Sequence, residues 1–445
     1  MDTEKLLREY IACQSVSSDN SLRHGMAAAR SFLVNFFNEL SIEAEEVQTG
    51  GHPAIFAQTE QRPGAPTVIM YGHYDVQPAD NANLWNTDPF KMATKDGHFW
   101  GRGVSDNKGP HLAMLLGVAD IIATKKQLPI NIKFLLEGEE EVGSTNIAHL
   151  LRNMKDRLAA DFAIIADTWA LDDKHIVITT GLRGLVGCEL DLIGMPQDIH
   201  SGYGGGILNP VQALVKICSK LHTDTGAVNV EHFYDDVVFP SDDERKQLQI
   251  LKLSDDELTR EFGVSTFQRP YQGFSATETM RFFPSLEFNG ISGGFQGEGI
   301  KTIIPAKAHV KISCRLVPNQ DPNVIKSLLQ TTFHKLCPQG MQLNVKFEQA
   351  SKPYAIDLNN GILSTASTLA EEEISKVFGA PPAYLREGGS IGLVPTLKDI
   401  LGIDSLMLGF STSNDNIHAP NENISISMLE KAREFFKNFI CRFSV

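Results

Sequence analysis

The first 180 residues of the chain alternate short apolar runs with segments of helical periodicity. Apolar residues recur at helical spacing in residues 3–13, 23–40 and 109–125. Four other runs are apolar on both faces, as expected of central strands covered by helices on each side: Thr67–Tyr71, Ile130–Leu136, Phe162–Ala166 and, near the C-terminus, Ser405–Phe410. This alternation predicts an α/β layer architecture.

A different pattern extends from about Gly184 to Ser351. Its predicted elements are a strand at Leu185–Ile193, a helix at 209–222, strands at 285–292 and 307–317, a helix at 321–337 and a strand at 341–348. The order β-α-β-β-α-β is ferredoxin-like. Residues 223–284 interrupt it with an acid-rich stretch that we expect to be solvated surface. We predict a discontinuous domain of residues 1–183 and 353–445, with residues 184–352 inserted as a second domain.

Composition narrows the classes of function. The chain has 445 residues, 42% of them hydrophobic, and a formal net charge of −14. An acidic balance argues against a nucleic acid or an anionic membrane surface as a partner. No apolar run approaches the roughly 20 residues that cross a bilayer, and the first ten residues lack the basic and apolar regions of a signal peptide. We therefore expect a soluble, cytoplasmic protein.

Candidate metal ligands follow the apolar runs. His73 comes after the first run, the acidic stretch Glu137–Glu141 after the second, Asp167 after the third, and His418 eight residues beyond the fourth. In open α/β sheets, ligands bind outside the carboxyl ends of the strands. Asp106 lies just before the 109–125 helix. A single acid at a strand end is often only a helix cap, so it is the repetition that indicates a site.

This set of residues suits divalent metal ions. The six cysteines include no Cys-x-x-Cys pair, so His and carboxylates must supply the ligands. Two His and three carboxylates fit Zn²⁺, with Mn²⁺ and Co²⁺ as alternatives. Five ligands exceed what one open tetrahedral site requires, and they fit two metals about 3.5–4 Å apart with one bridging carboxylate.

Two further roles follow from the same stretches of sequence. Asp75 stands two residues after His73, so on an extended backbone both side chains point the same way. Asp75 can then accept the second imidazole N–H and fix the tautomer. Within Glu139–Glu141, one glutamate would bind metal while another acts as a general base. The residues alone do not assign which does which.

Three motifs are highly specific. They are Gly-His-Tyr-Asp-Val-Gln-Pro at 72–78, Gly-Arg-Gly-Val-Ser-Asp-Asn-Lys-Gly at 101–109 and Glu-Glu-Val-Gly-Ser at 140–144. Through these motifs and their order along the chain, the sequence resembles the co-catalytic di-metal peptidases. This family includes carnosinases, carboxypeptidase G, aminoacylases and succinyl-diaminopimelate desuccinylase. The likeness is nearest to the carnosinase-like dipeptidase branch, through Trp85, Asp88–Phe90, Arg315–Asn319 and Arg386–Ile391.

The resemblance implies a mixed-sheet α/β catalytic domain with an inserted α+β ferredoxin-like domain that serves as lid and dimerisation domain. It implies that His73, Asp106 and Asp167 hold one metal, with Asp106 bridging. Glu141 and His418 would complete the second site, and Glu140 would be the general base. The bond between Asp106 and Asn107 would be cis.

The resemblance also implies roles in the inserted domain. His200 would reach across a homodimer to stabilise the oxyanion, and Thr302, Arg315 and Ser390 would bind the carboxylate end of the substrate or assist the oxyanion. Arg315 suits a carboxylate because its guanidinium can bind in a bidentate manner. Glu139 lengthens the acidic run beyond the family pattern, and we expect its side chain to face solvent.

The implied reaction is hydrolysis of a dipeptide by a water that two metal ions, most simply Zn²⁺, activate and from which Glu140 takes a proton. The alternative is deacylation of an N-acyl amino acid or of N-succinyl-diaminopimelate on the same centre. A more remote alternative is a metal-binding scaffold without catalytic activity, although such a protein would have no need for a base beside a full ligand set.

Overall fold

The computed structural model describes residues 1–79, 82–124, 127–250, 254–358 and 361–443. The chain divides into two compact units. The first unit comprises Met1–Thr180, Ile356–Leu385 and Ile391–Val445, and the second comprises Gly181–Ala355 and Arg386–Ser390. Within the described ranges, no helix combines the length and the apolar character that crossing a bilayer requires.

The helices and strands are numbered here in chain order. The α-helices of the described residues are α1 (Thr3–Ile11), α2 (Arg23–Glu39), α3 (Lys108–Ala123), α4 (Ile147–Asn153), α5 (Pro210–Ser219), α6 (Asp242–Ile250), α7 (Asp255–Phe262), α8 (Ala276–Phe282), α9 (Pro322–Leu336), α10 (Gly361–Phe378), α11 (Leu393–Leu401) and α12 (Ile426–Cys441). The strands are β1 (Ala44–Val47), β2 (Ala54–Gln58), β3 (Thr67–His73), β4 (Ala93–Lys95), β5 (His98–Trp100), β6 (Asn131–Glu137), β7 (Phe162–Trp169), β8 (Val177–Leu182), β9 (Gly184–Ile193), β10 (Ile199–His200), β11 (Ser285–Gly293), β12 (Ile303–Ile304), β13 (Lys307–Leu316), β14 (Gln342–Ser351), β15 (Tyr354–Ala355), β16 (Ala383–Arg386), β17 (Ser405–Ser411) and β18 (Asn423–Ser425).

The large sheet of the first unit is mixed, as predicted. Seven of its strands run in the order β1-β2-β6-β3-β7-β17-β8. The four central strands are the four apolar runs predicted from the sequence, and they are parallel to one another, whereas β2 and β8 pair antiparallel with β6 and β17. Because the central strands are parallel, their carboxyl ends lie at the same edge of the sheet.

Helix α3 is buried on every side, and this explains why its sequence is apolar all round. It begins directly after the segment that carries Asp106, so its burial fixes that segment in the unit. Gly117 lets α3 approach α12 closely, because a Cβ atom there would lie 2.8 Å from the Cβ of Phe436. Residue 125, the last of the helix predicted over 109–125, lies outside the described residues.

The second unit contains the predicted ferredoxin-like order. Strands β9, β11, β13 and β14 form an antiparallel sheet in the order β11-β13-β9-β14, and α5 and α9 pack against it with an apolar core. The acid-rich segment 223–284 contributes α6, α7 and α8. Asp242 and Asp243 are exposed there, as predicted, whereas Phe233, Phe282 and Phe283 of the same segment are buried. The expectation of solvated surface is therefore correct for the acidic block and wrong for these aromatic residues, which pack in apolar surroundings. Residues 251–253 lie outside the described ranges.

Candidate active site

Strand ends and one loop bring three of the predicted ligands together. His73 is the last residue of β3 and is fully buried. Its Nε2 lies 3.1 Å from Asp106 Oδ1 and 3.7 Å from Asp167 Oδ2. The peptide bond between Asp106 and Asn107 is cis, as the resemblance implied.

A β-bulge precedes the end of β7 and includes Asp167. Ile165 pairs with Met407 of β17 and Thr168 pairs with Gly409, so two residues of β7 face one residue of β17. A bulge changes the direction of the side chains that follow it and often lies next to an active site. The predicted strand ended at Ala166, whereas β7 continues beyond the bulge to Trp169.

The remaining two ligand candidates meet on the other side of Asp106. His418 Nε2 lies 2.9 Å from Asp106 Oδ2 and 3.1 Å from Glu141 Oε2. In each of the two groups, His73–Asp106–Asp167 and Asp106–Glu141–His418, the potential ligand atoms lie within 4.8 Å of one another. Asp106 thus offers one carboxylate oxygen to each group.

These residues fit a pair of divalent cations. The donors are imidazole nitrogens and carboxylate oxygens, a set that suits Zn²⁺ and its neighbours. Glu141 Oε1 is buried and has no hydrogen-bond partner among the described residues. A buried oxygen of this kind usually has a partner, and a cation would supply one.

The carboxylate of Asp75 connects His73 to the turn that carries Glu140 and Glu141. His73 Nδ1 lies 3.0 Å from the backbone oxygen of Asp75 and 3.4 Å from its Oδ1. The same carboxylate accepts hydrogen bonds from the backbone N–H groups of Glu140 at 3.3 Å and Glu141 at 3.1 Å. The backbone carbonyl is therefore the nearer partner of the imidazole, and the carboxylate also holds the turn.

The environment of Glu140 favours its protonated form. Burial raises the pKa of Glu140 well above its usual value, and the carboxylates of Asp167, Asp106 and Glu141 raise it further against the opposing effect of His73. A carboxyl group with a raised pKa beside candidate metal ligands has the property expected of a general base.

Neighbouring charges and burial shift the pKa values of four ligand candidates. Although burial opposes ionisation, hydrogen bonds from His418 and His73 hold the pKa of Asp106 below its usual value, whereas burial raises the pKa of Asp167 to about 6. Hydrogen bonds to Asp106 and Glu141 raise the pKa of His418 to about 10. Despite the opposing effect of burial, Asp167 and Asp106 raise the pKa of His73 well above its ordinary value. Both imidazoles therefore hold protons that a metal ion must displace.

The expectation that Glu139 faces solvent is wrong. Glu139 is buried, with 8% of its surface exposed. Both of its carboxylate oxygens accept hydrogen bonds from Asn146 Nδ2, at 3.1 and 2.9 Å. A Cβ atom on Gly51 would lie 1.8 Å from Glu139 Oε1, so the absence of a side chain there makes room for the carboxylate. Glu139 anchors the start of the turn that carries Glu140 and Glu141.

Sequence reasoning missed two side chains that contact the ligand candidates. Asn107 Nδ2 donates to Asp167 Oδ1 at 2.8 Å, and Gln77 Nε2 donates to Glu141 Oε2 at 2.9 Å. Gln77 lies in the motif at 72–78, and Asn107 lies in the motif at 101–109. A search for donors near each predicted acid in those motifs would have named them as candidates.

Two of the predicted substrate-binding residues contact each other in the second unit. Arg315 Nη1 donates to Ser390 Oγ at 3.0 Å, and that hydroxyl donates to the backbone oxygen of Arg183. Arg183 also donates from its backbone N–H to Gly389 O and from Nε to Gly388 O, both at 2.9 Å. Arg183, which sequence reasoning missed, therefore holds the Gly388–Ser390 segment in place.

Arg183, Arg281 and Arg315 form what we call the arginine cluster. Burial, together with the charges of Arg315 and Arg281, lowers the pKa of Arg183 to about 10. Like charges are concentrated here, which is a property of anion-binding sites.

His200 and Thr302 lie on adjoining backbone segments of the second unit. His200 ends β10, pairs with Ile303 of β12, and is exposed. The backbone N–H of Ser201 donates to the oxygen of Thr302 at 2.9 Å. His200 Nδ1 accepts a hydrogen bond from the Gly202 N–H at 2.9 Å, which leaves Nε2 as the ring nitrogen for any further contact.

The chain is similar to known proteins over nearly its whole length. Over 438 residues the chain is 30% identical to the Beta-Ala-His dipeptidase of Rattus norvegicus, covering 94% of this chain and 88% of the relative. It is also 30% identical over 458 residues to the Cys-Gly metallodipeptidase dug1 of Schizosaccharomyces pombe, covering 98% and 94%. The crystal structure of the M20 family metallo-carboxypeptidase Sso-CP2 from Sulfolobus solfataricus matches with a TM-score of 0.88 and 29% identity, covering 100% of this chain and 99% of that one.

The sequence pattern that defines peptidase family M20/M25/M40 matches residues 69–442. This range includes every predicted ligand, from His73 to His418. The family match covers most of the chain, and the relatives named as dipeptidases are similar to it over nearly its whole length. The chain is therefore a peptide-bond hydrolase that belongs to peptidase family M20/M25/M40.

Proposed function

We propose that this chain is a metal-dependent dipeptidase that hydrolyses the amide bond of dipeptides with a free C-terminal carboxylate. The observation that carries the proposal is the pair of ligand groups that share Asp106 and lie beside Glu140. A single metal would not need a carboxylate that directs one oxygen to each group. A non-catalytic scaffold would not need a further acid, Glu140, beside both groups.

His73, Asp106 and Asp167 would hold one divalent ion, and Asp106, Glu141 and His418 would hold the other. When bound, such ions supply Lewis acidity that activates water and polarises a carbonyl group. Zn²⁺ is the ion we propose, because the donor set combines imidazole with carboxylate. Asp75 would fix the position of the His73 ring relative to the Glu140–Glu141 turn, since it contacts both.

Glu140 would act as the general base and then as the general acid. Its carboxylate oxygen would accept a proton from the attacking water and return that proton to the amine of the leaving amino acid. A raised pKa makes the carboxylate a stronger base, so the environment of Glu140 favours the first transfer. Glu139, although adjacent, is engaged by Asn146 and is not available for this role.

The second unit would bind the substrate and close over it. We propose that Arg315, Ser390 and Thr302 bind the C-terminal carboxylate or assist the oxyanion, and that His200 contributes to the oxyanion from the partner of a dimer. The positive charge of the arginine cluster supports a carboxylate ligand. Residues 184–352 would then act as the lid and dimerisation domain, and 1–183 with 353–445 as the catalytic domain.

The surface of the second unit supports the proposed homodimer. Strand β11 lies at one edge of its sheet, and an unpaired edge can add a strand from a second copy. Several apolar side chains on β11, α5 and the segment after β11 are exposed: Val215, Ile291, Phe295 and Ile300, the last at 95%. A second copy of the chain would cover them.

The relatives named as dipeptidases suggest β-alanyl-histidine and cysteinyl-glycine as first substrates to test. Cleavage of a C-terminal residue from longer peptides is a second candidate, because one similar solved structure is a metallo-carboxypeptidase. Deacylation of N-acyl amino acids or of N-succinyl-diaminopimelate is the third, since the same centre would cut either amide.

A hydrolysis panel read by mass spectrometry separates these candidates. Metal-reconstituted protein is offered dipeptides, a tripeptide, N-acetyl amino acids and N-succinyl-diaminopimelate, each with and without a chelator. We expect chelator-sensitive cleavage confined to the dipeptides. Cleavage of the tripeptide at its C-terminal bond would assign a carboxypeptidase, and cleavage of only the acylated compounds would assign a deacylase. No hydrolysis of any amide with both ions bound would contradict an enzymatic role.

A further inference from the structure

A buried carboxylate outside the ligand set holds the segment that carries Asp106. Glu422 is fully buried, with 0% of its surface exposed. Its Oε2 accepts hydrogen bonds from Arg102 Nη1 at 2.8 Å and from the Gly103 N–H at 2.9 Å. Its Oε1 accepts from the N–H groups of Ser105 at 2.9 Å and Asp106 at 3.1 Å. Four donors from one short segment therefore converge on a single side chain.

Backbone pairing brings Glu422 to this segment. Strand β18 pairs antiparallel with β5, with Asn423 opposite Trp100. The pairing extends by one residue, since the Gly101 N–H donates to the backbone oxygen of Glu422 at 3.0 Å. The loop that carries His418 precedes β18, and the loop that carries Asp106 follows β5. The antiparallel pairing of β18 with β5 therefore places the two loops side by side.

The His418 loop has a conformation that requires support. Asn416, His418 and Asn421 have positive φ angles of 54°, 60° and 64°. Residues other than glycine adopt this left-handed region only where surrounding contacts compensate for its cost. The side chain of Asn421 supplies one such contact, because its Oδ1 accepts from the Asn86 N–H at 2.7 Å.

A second carboxylate joins the same two loops. Asp415 Oδ2 accepts hydrogen bonds from Ser105 Oγ at 3.0 Å and from the Thr412 N–H at 2.9 Å. Asp415 lies three residues before His418, and Ser105 lies directly before Asp106. Two acids, one on each side of His418 in the chain, therefore bind the segment that ends in Asp106.

We propose that Glu422 is a positioning residue of the metal centre, whose carboxylate sets the separation and orientation of Asp106 and His418 without contacting either metal or substrate. The proposal rests on the proposed function, because it assumes that these two side chains share a divalent cation. Partners that orient ligands from outside the coordination sphere typically change metal affinity by about 10- to 100-fold when they are removed.

Substitutions at Glu422 distinguish a positioning role from a purely structural role, because the two roles predict different effects on metal binding. Glu422→Gln keeps the shape of the side chain, but its NH₂ group cannot accept a hydrogen bond from a backbone N–H. Glu422→Asp keeps both acceptors on a shorter side chain. A structural residue would lower the stability of the metal-free protein in both variants and leave the metal sites of the folded protein unchanged.

Asp120→Asn is the matched control. Asp120 forms a two-bond ion pair with Arg433 at 2.7 and 2.9 Å in the same unit. It lies twelve residues beyond the start of α3, about 18 Å away at 1.5 Å per residue. The control therefore breaks a carboxylate–guanidinium pair without touching the loops that carry Asp106 and His418.

The readouts are Co²⁺ binding constants from competition with a chelating dye, the visible absorption spectrum of bound Co²⁺, and the melting temperature of the metal-free full-length chain. We expect wild type and Asp120→Asn to bind two ions with dissociation constants within twofold of each other. Glu422→Gln should bind at least one ion about 10- to 100-fold more weakly and with an altered spectrum, and Glu422→Asp should recover part of the affinity.

Glu422→Gln with unchanged constants and spectrum, but a lower melting temperature, would overturn the positioning role and leave the proposed function standing. Wild-type protein that binds no Co²⁺ would overturn the metal centre and this inference with it. If Glu422→Gln does not fold, Asp415→Asn tests the same idea, because it loosens the second tie between the loops. It should weaken Co²⁺ binding in the same direction, and unchanged binding would count against the proposal.

Discussion

The candidate metal centre and the arginine cluster satisfy their charged groups in opposite ways. In the centre, His73 and His418 contact the carboxylates of Asp106, Asp167 and Glu141 directly. In the cluster, by contrast, each arginine donates a hydrogen bond to a neutral acceptor. Arg183 Nε donates to Gly388 O, Arg281 Nη1 to Arg386 O and Arg315 Nη1 to Ser390 Oγ.

This difference indicates the sign of the added charge that would stabilise each region. The centre gathers more carboxylates than imidazoles and has an unpartnered Glu141 oxygen, so added positive charge would stabilise it. Three guanidinium groups outnumber the two acids whose charges act on them, Glu287 on Arg183 and Glu387 on Arg281, so an added anion would stabilise the cluster. A dipeptidase needs both properties, one for metal ions and one for the free carboxylate of the substrate.

Removing the charge of Asp106, the candidate ligand that both groups share, is the most severe test of the candidate metal centre. Asp106→Asn should lose both ions and nearly all turnover, because each oxygen of Asp106 belongs to one ligand group. We expect activity to fall by more than the roughly 100-fold typical of outer partners. Metal content by mass spectrometry checks this, with Asp120→Asn as the control. Retention of two tightly bound ions would contradict a bridging role.

The proposed base, Glu140, can be tested separately from the proposed metal ligands beside it. Glu140→Gln should retain both ions but lose turnover by about 10²–10⁴-fold, the usual contribution of general acid–base catalysis. The control is Glu139→Gln, an adjacent substitution in the same turn that should keep most activity. Steady-state kinetics with dipeptide substrate provides the measurement. Turnover of Glu140→Gln within tenfold of wild type would exclude Glu140 as the base.

The arginine cluster should respond without any change at the metal centre. Arg315→Lys keeps the charge but removes the bidentate geometry, and we expect kcat/KM to fall by about 10- to 100-fold, the loss of one charged hydrogen bond. Metal content should stay at the wild-type value. Dipeptide amides, which lack the terminal carboxylate, serve as the control substrate and should show little difference between the proteins. An equal loss on amides would argue against carboxylate recognition.

Metal binding should strengthen as pH rises. The pKa of His418 is raised to about 10 and that of His73 is also raised, so both imidazoles carry protons at neutral pH that a metal ion displaces. Each displaced proton makes the affinity increase about tenfold per pH unit below these pKa values. Calorimetry at pH 6.5 and 7.5 in buffers of different ionisation enthalpy would count the protons. Affinity that does not change with pH would contradict the protonated state of the cluster.

The smallest expected effect concerns the anchor of the catalytic turn. Asn146→Ala leaves the buried carboxylate of Glu139 without the donor that contacts both of its oxygens, and should lower the free energy of unfolding by about 1–3 kcal/mol. Asn153→Ala, which changes an exposed asparagine at the last position of α4, the helix that begins directly after Asn146, is the control. Urea unfolding of metal-free protein measures both, and equal midpoints would show that the anchor contributes nothing.

Much of the first unit could be predicted because local sequence determines it. Strands β3, β6, β7 and β17 are buried on both faces, so each appears as a continuous apolar run, and a chemically distinctive residue follows each one. Glu139 was predicted wrongly because its burial depends on space beside Gly51 and on a donor seven residues away. The role of Glu422 could not be predicted from local sequence, because its hydrogen-bond partners lie more than 300 residues earlier in the chain. In the second unit, residues such as Arg315 and His200 became candidates through family resemblance alone.

The bulge in β7 makes part of the centre depend on chain length as well as on residue identity. Between the pairs Ile165–Met407 and Thr168–Gly409, β7 has two residues and β17 has one, and Asp167 is one of the two. Side chains alternate between the two faces of a strand, so a shift of one residue turns each of them over. Deleting Ala166 would therefore leave every candidate ligand residue in the sequence but turn the side chain of Asp167 away from His73. Variants that differ by insertions or deletions near this point can lose the centre while every motif stays intact.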